Sequence, residues 1–171
     1  MLKLLSTLKG QPVIAQQLGQ PIGTIGDWVF NPEKGKVEAY ELAGGKDKRF
    51  ISPVDILSYL DDGLVVSGSD VLQGSDDLIR AKKLIDEPCR LIGLRVVSER
   101  KKRLGTVSDA LIETAGLFIA KVYVKPPLLT RLFEEALIIP REQVVSITNR
   151  EVTVRQDMSS KATGIEPEVA Q

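Results

Sequence analysis

The chain repeats itself, and an internal repeat restricts the fold more than any bulk property, because each copy must build the same elements and accommodate a neighbour of its own kind. Ile22-Gly23-Thr24-Ile25-Gly26-Asp27 reappears as Leu104-Gly105-Thr106-Val107-Ser108-Asp109. Upstream, Gly10-Gln11-Pro12-Val13 aligns with Gly93-Leu94-Arg95-Val96. Downstream, Gly35-Lys36-Val37 aligns with Gly116-Leu117-Phe118, and Phe50-Ile51-Ser52-Pro53 with Leu137-Ile138-Ile139-Pro140. That last match carries Leu57, Leu60 and Val65 onto Val144, Ile147 and Val152. The spacing changes only where loops are expected.

Within the first copy, short runs of apolar and β-branched residues predict strands over Pro12 to Ala15, Ile22 to Phe30, Lys36 to Leu42, Arg49 to Pro53, Ile56 to Leu60 and Leu64 to Ser67. Apolar residues do not alternate cleanly between Ile25 and Phe30, which predicts a bulge near Gly26. Gly23 and Gly105 are positions where another backbone segment can approach closely. Asn31-Pro32-Glu33-Lys34-Gly35 has hairpin chemistry, proline presetting φ and glycine admitting a positive φ. Glu113-Thr114-Ala115-Gly116 is its expected counterpart.

The expected fold class is all-β: two small open barrels, residues 1–72 and 89–158, joined by a linker helix over 73–88 and followed by a tail over 159–171. In the linker, Ser75-Asp76-Asp77 offers a helix cap and acidic first turn; Leu78, Ala81, Leu84 and Ile85 recur at helical spacing before Pro88. The tail is poor in apolar anchors and receives no structure. Each copy alone would bury a marginal core, so the two barrels are expected to pack together, with Trp28, replaced by Ala110 in the second copy, at the junction.

Composition removes several function classes. The 23 Lys and Arg balance the 23 Asp and Glu, so no global field steers the chain toward nucleic acid or anionic lipid. No apolar run approaches the length of a membrane-spanning helix. The single cysteine, Cys89, has no disulfide partner, which fits a reducing, cytoplasmic setting. With no histidine, the commonest general base and zinc ligand is missing. No cofactor, metal site or catalytic residue is assigned.

The ordered pattern resembles the PRC-barrel family: a Gly-x-x-Val opening, an apolar-Gly-Thr-apolar-x-Asp strand, a Gly-containing turn, an apolar-x-Pro strand, and a closing pair around Asp62-Gly63 or Asn149-Arg150. The resemblance covers residues 8 to 70 and 91 to 157. It implies a docking surface rather than a catalyst, as in the cytoplasmic domain of the photosynthetic reaction-centre H subunit and the C-terminal domain of a ribosome maturation factor. Neither the membrane helix of the former nor the N-terminal domain of the latter is expected here, so their specific roles are not carried over.

Three features compete for a functional role. Arg100-Lys101-Lys102-Arg103 forms a basic hairpin tip where the first copy has uncharged Gln16 to Gln20, and is read either as a solvated turn or as a contact for phosphate or an acidic protein face. The second copy is also longer between its third and fourth strands. There Pro126-Pro127 can open a helical turn that sets Leu128, Leu129, Leu132 and Phe133 on one apolar side. That side is core if it folds back and a partner contact if it does not; Glu134 and Glu135 disfavour anionic lipid. Asp27 and Asp109 hold equivalent positions, either as backbone-bonding residues at a strand bend or as a carboxylate pair sharing acid and base roles.

The leading expectation is a non-catalytic protein-interaction or assembly module that binds another protein, with a homo-oligomer left open. The alternatives are an RNA-associated role resembling ribosome maturation, a reaction-centre-like docking subunit, and an acid-base enzyme using Asp27 and Asp109.

Overall fold

The computed structural model describes residues 1–128 and 136–155. A short strand, β1 (Leu2–Leu4), and one helical turn, α1 (Leu5–Leu8), precede the first copy. That copy comprises β2 (Pro12–Ala15), β3 (Gln20–Asn31), β4 (Lys36–Leu42), β5 (Phe50–Ile51), β6 (Ile56–Leu60) and β7 (Gly63–Val66). After a helix, α2 (Lys82–Asp86), come β8 (Arg95–Ser98), β9 (Arg103–Glu113), β10 (Ile119–Lys125), β11 (Leu137–Pro140), β12 (Val144–Ile147) and β13 (Glu151–Val154). The two sheets have the same strand order, β5-β4-β3-β2-β7-β6 and β11-β10-β9-β8-β13-β12. In each, the opening strand runs parallel to the closing one, β2 with β7 and β8 with β13, while the other pairs are antiparallel. The duplicated all-β architecture read from the repeat is therefore the one observed.

Even the irregularities are duplicated. The bulge anticipated at Gly26 is present, since the β3–β4 register slips between Ile25 and Asp27, and the β9–β10 register slips at the matching place, between Val107 and Asp109. A bulge adds a residue to one strand and sharpens its twist, which lets two long strands curl toward a barrel. A 3-10 turn, Pro53–Asp55 or Arg141–Gln143, links the fourth and fifth strands of each copy.

Three expectations require correction. Phe50-Ile51 corresponds to Ile138-Ile139, because Ile51 pairs with Tyr40 as Ile139 pairs with Val122. Matching Pro53 to Pro140 had put the fourth and later strands out of step by one residue: Pro53 opens its 3-10 turn, whereas Pro140 caps the one that follows it. The turn residue with positive φ in the second copy is Leu117 (φ 58), not Gly116. Leu117 N–H returns to the Glu113 carbonyl at 2.7 Å as Gly35 N–H returns to Asn31 at 2.8 Å, so hydrogen bonding selects the left-handed position, not residue type. Finally, the linker helix begins only at Lys82 and has no side-chain cap; Asp77 turns back to accept the Gly74 N–H at 2.9 Å, closing a local turn instead.

The copies meet through equivalent residues. Lys36 and Phe118 form an antiparallel bridge, with Val37 N–H donating to Leu117 O at 3.0 Å and Ile119 N–H to Gly35 O at 2.9 Å. Phe118 is the counterpart of Lys36, and the Val37–Leu117 bond is the counterpart of the Ile119–Gly35 bond, so a local pseudo-twofold axis passes through the bridge. The Lys36 ammonium also lies 5.6 Å from the centre of the Phe118 ring. Strand β1 crosses this boundary, pairing Leu2, Lys3 and Leu4 with Glu113, Ile112 and Leu111 of β9. A single hydrophobic core results: Leu5, Leu8, Val13, Ile25 and Leu64 belong to the same buried cluster as Leu91, Val96, Val107, Ile112 and Val152. A second, smaller cluster forms where the linker residues Leu78, Ala81, Leu84 and Ile85 cover Val29, Ala39 and Phe50.

Inside the first copy the hydroxyls of Tyr40 and Tyr59 lie 3.2 Å apart. Burial holds Tyr40 well above the usual phenol range and pushes Tyr59 up to about 12. Up to the unfolded value of 10.0 both phenols are neutral in either state, so pH leaves stability untouched. Above it the unfolded chain ionises first, and stability falls as pH rises toward the folded values, by up to ~1.4 kcal/mol per pH unit for Tyr40. Urea midpoints compared near pH 8 and near pH 11 should show this fall, and Tyr40→Phe should flatten it; an equal fall in the variant would contradict the assignment.

Candidate functional site

The basic tip of the second copy follows from hairpin geometry: β8 and β9 leave Glu99 to Lys102 as the exposed connection, with Lys101 turning through φ 63. The four cations are not equivalent there. Lys101 pairs with Glu151 at 2.6 Å, and Arg95 reaches the same carboxylate at 2.7 Å. Together, Lys101 first, they hold the Glu151 carboxyl below the usual carboxylate range. Arg100, Lys102 and Arg103 make no ion pair among the described residues, so three cations remain available to a partner.

Arg103 at the start of β9 lines a groove of ≈ 600 Å³ together with Thr106, Ser108, Lys125 and Leu128. Leu128 is 77% exposed, so the apolar segment reaches solvent at its described end. Leu129, Leu132 and Phe133 lie outside the described residues. Register shows that the first copy carries Pro21 where the second has Arg103, and Ala43 where it has Lys125. The cationic groove is thus a property of the second copy alone.

Asp27 and Asp109 act on backbone. Asp27 Oδ1 accepts the Trp28 N–H at 2.9 Å, and Asp109 Oδ1 accepts the Ala110 N–H at 2.8 Å. This cap sits beside the bulge, where the register slip interrupts the ladder. Asp109 accepts further from Ser6, through the N–H at 3.2 Å and through the hydroxyl. No hydrogen bond joins the two carboxylates to each other, and the shared-proton arrangement of an acid-base pair is not formed.

Cys89 is buried, with its Sγ 3.7 Å from the Thr148 carbonyl, and burial pushes the thiol up to about 11. A neutral thiol is a poor nucleophile and a poor metal ligand. Among the described residues no cluster of three metal-ligating side chains exists, and no helix is long and apolar enough to cross a membrane.

The sequence reading missed a second concavity. A cleft of ≈ 310 Å³ runs between the first sheet and the linker, lined by Asp27, Trp28 and Phe50 on one side and by Leu84, Cys89 and Arg90 on the other. Its only sequence signal was Trp28, which packs partly buried against the shared core while also lining this cleft.

A family model described as the PRC-barrel domain matches the chain twice, over residues 2–73 and again over residues 87–159. No curated protein matches the chain.

Proposed function

The chain belongs to the PRC-barrel domain family, and from that membership we propose that it is a non-catalytic interaction module that binds another protein through the cationic groove of its second barrel. The reading rests on one observation: duplication left the fold of the two copies alike, yet Arg103, Lys125 and the exposed Leu128 occur only in the second. An exposed leucine flanked by cations that make no ion pair among the described residues is suited to a protein surface of complementary charge. The pairing of Lys101 with Glu151 and the lack of interleaved aromatic side chains favour a protein over RNA.

The test is retention of partners from the native host on immobilised protein. Arg103→Glu combined with Leu128→Ser is expected to lower retention of a specific protein at least tenfold, with the circular dichroism spectrum and urea midpoint unchanged. Equal retention by the variant rejects the reading, and loss of RNA in place of protein transfers support to the nucleic-acid alternative.

A further inference from the structure

We propose that the cleft between the first sheet and the linker is a binding site for a small organic acid with an apolar body. The two sides of the pseudo-twofold axis differ here. Around Asp109, the helical turn α1 brings Ser6 close enough for its N–H and hydroxyl both to bond the carboxylate, closing that side. Around Asp27 the chain follows Pro88-Cys89-Arg90, which is not helical. Pro88 has no N–H, and the Cys89 sulfur is engaged with Thr148. Among the described residues Asp27 therefore accepts only the Trp28 N–H, and a cleft opens where the other side is sealed.

The lining sets the ligand class. Val29, Phe50, Leu84 and Ile85 give an apolar wall, continuous with the small core under the linker, and Trp28 adds an aromatic face. Among the charged lining residues, Lys48 is already paired with Glu41 at 3.0 Å. Lys9 and Arg90 make no ion pair among the described residues, and they outnumber Asp27. The excess of positive charge selects an acid group, the wall selects an apolar body, and Asp27 can accept one hydrogen bond from a ligand hydroxyl or amine. A volume of ≈ 310 Å³ limits the occupant to a small molecule.

Trp28 is the only tryptophan, so all energy transfer starts from the edge of the cleft, and the charge-reversed variants locate the acceptor. The probe is 8-anilinonaphthalene-1-sulfonate, read by energy transfer from Trp28, with octanoate and octylammonium as competitors of opposite charge. The expected result is saturable one-to-one binding that octanoate displaces and octylammonium does not. Lys9→Glu with Arg90→Glu should weaken it at least tenfold, while the exposed pair Lys46→Glu with Arg80→Glu leaves it unchanged. Should the first pair unfold the protein, Lys9→Gln with Arg90→Gln carries the same expectation. Absence of saturable transfer, equal competition by octylammonium, or equal binding by both charge-reversed pairs overturns the proposal.

Discussion

Gly105→Ala is expected to destabilise the protein by more than about 3 kcal/mol, whereas Gly23→Ala, the same change at the matching position of the first copy, should cost only about 1 kcal/mol. Gly105 sits at φ 150, and a Cβ there would lie 2.0 Å from the Lys125 carbonyl oxygen. That oxygen belongs to the end of β10, paired with Thr106, so it can retreat only by breaking the β9–β10 ladder. Backbone strain and overpacking each contribute roughly 1–3 kcal/mol at such sites. At Gly23 the obstruction is the Cδ2 atom of Leu42, 2.3 Å away, and no positive φ is involved. A leucine side chain can move to a neighbouring rotamer at a cost of roughly 0.5–1.5 kcal/mol. Urea unfolding of the two variants, followed by circular dichroism, checks the difference; equal losses would mean that Gly105 is not held against the Lys125 carbonyl.

The contrast marks how far a repeat can be read. Both glycines are visible in the sequence as one motif, and the close backbone approach expected at each occurs at Gly105 but not at Gly23, where a leucine side chain takes the space. It could not say that one meets backbone and the other a flexible side chain, because that depends on what β4 and β10 carry opposite them. The same limit produced the one-residue slip in the later strands: proline identity suggested that Pro53 and Pro140 match, while pairing with β4 and β10, set by sequence-distant hydrogen bonds, shows that they do not. The strand β1 was unreadable for a different reason. Three residues are too few to show a period, and what makes Leu2–Leu4 a strand is the edge of β9 offered by the other copy.

The candidate site divides in the same way. The basic run Arg100 to Arg103 is contiguous and was visible at once, but the neutralisation of Lys101 by Glu151 comes from β13 across the parallel pair β8–β13. Arg103 and Lys125 become one groove only through the β9–β10 register. The cleft beside Trp28 needed three separated segments, the N-terminal stretch with Ser6 and Lys9, the first sheet and the linker, and charges at Lys9 and Arg90 that look like ordinary surface residues in the sequence.

Leu8→Ala is expected to cost about 2–5 kcal/mol, lowering the melting temperature by roughly 5–15 °C in a chain of this size. Leu8 is fully buried, packed in the core that both copies share. It is the last residue of α1, which follows the strand that β9 captures, so truncating it empties space in the cluster to which both copies contribute. Deleting residues 1–8 should do more. It removes Leu5 and Leu8 together and the three pairs with β9. It also removes Lys3, 8% exposed, whose ammonium donates to the Leu60 and Asp61 carbonyls of the first copy while its backbone belongs to the second sheet. A segment bonded to both copies couples their unfolding, because neither can open without losing contacts that the other needs. Hydrogen exchange should therefore show protection falling together in Ile25 to Val29 and in Val107 to Leu111 when the segment is deleted. If protection fell only in the second copy, whose sheet gains β1, the two barrels would be independent units and the shared core would contribute little to holding them together.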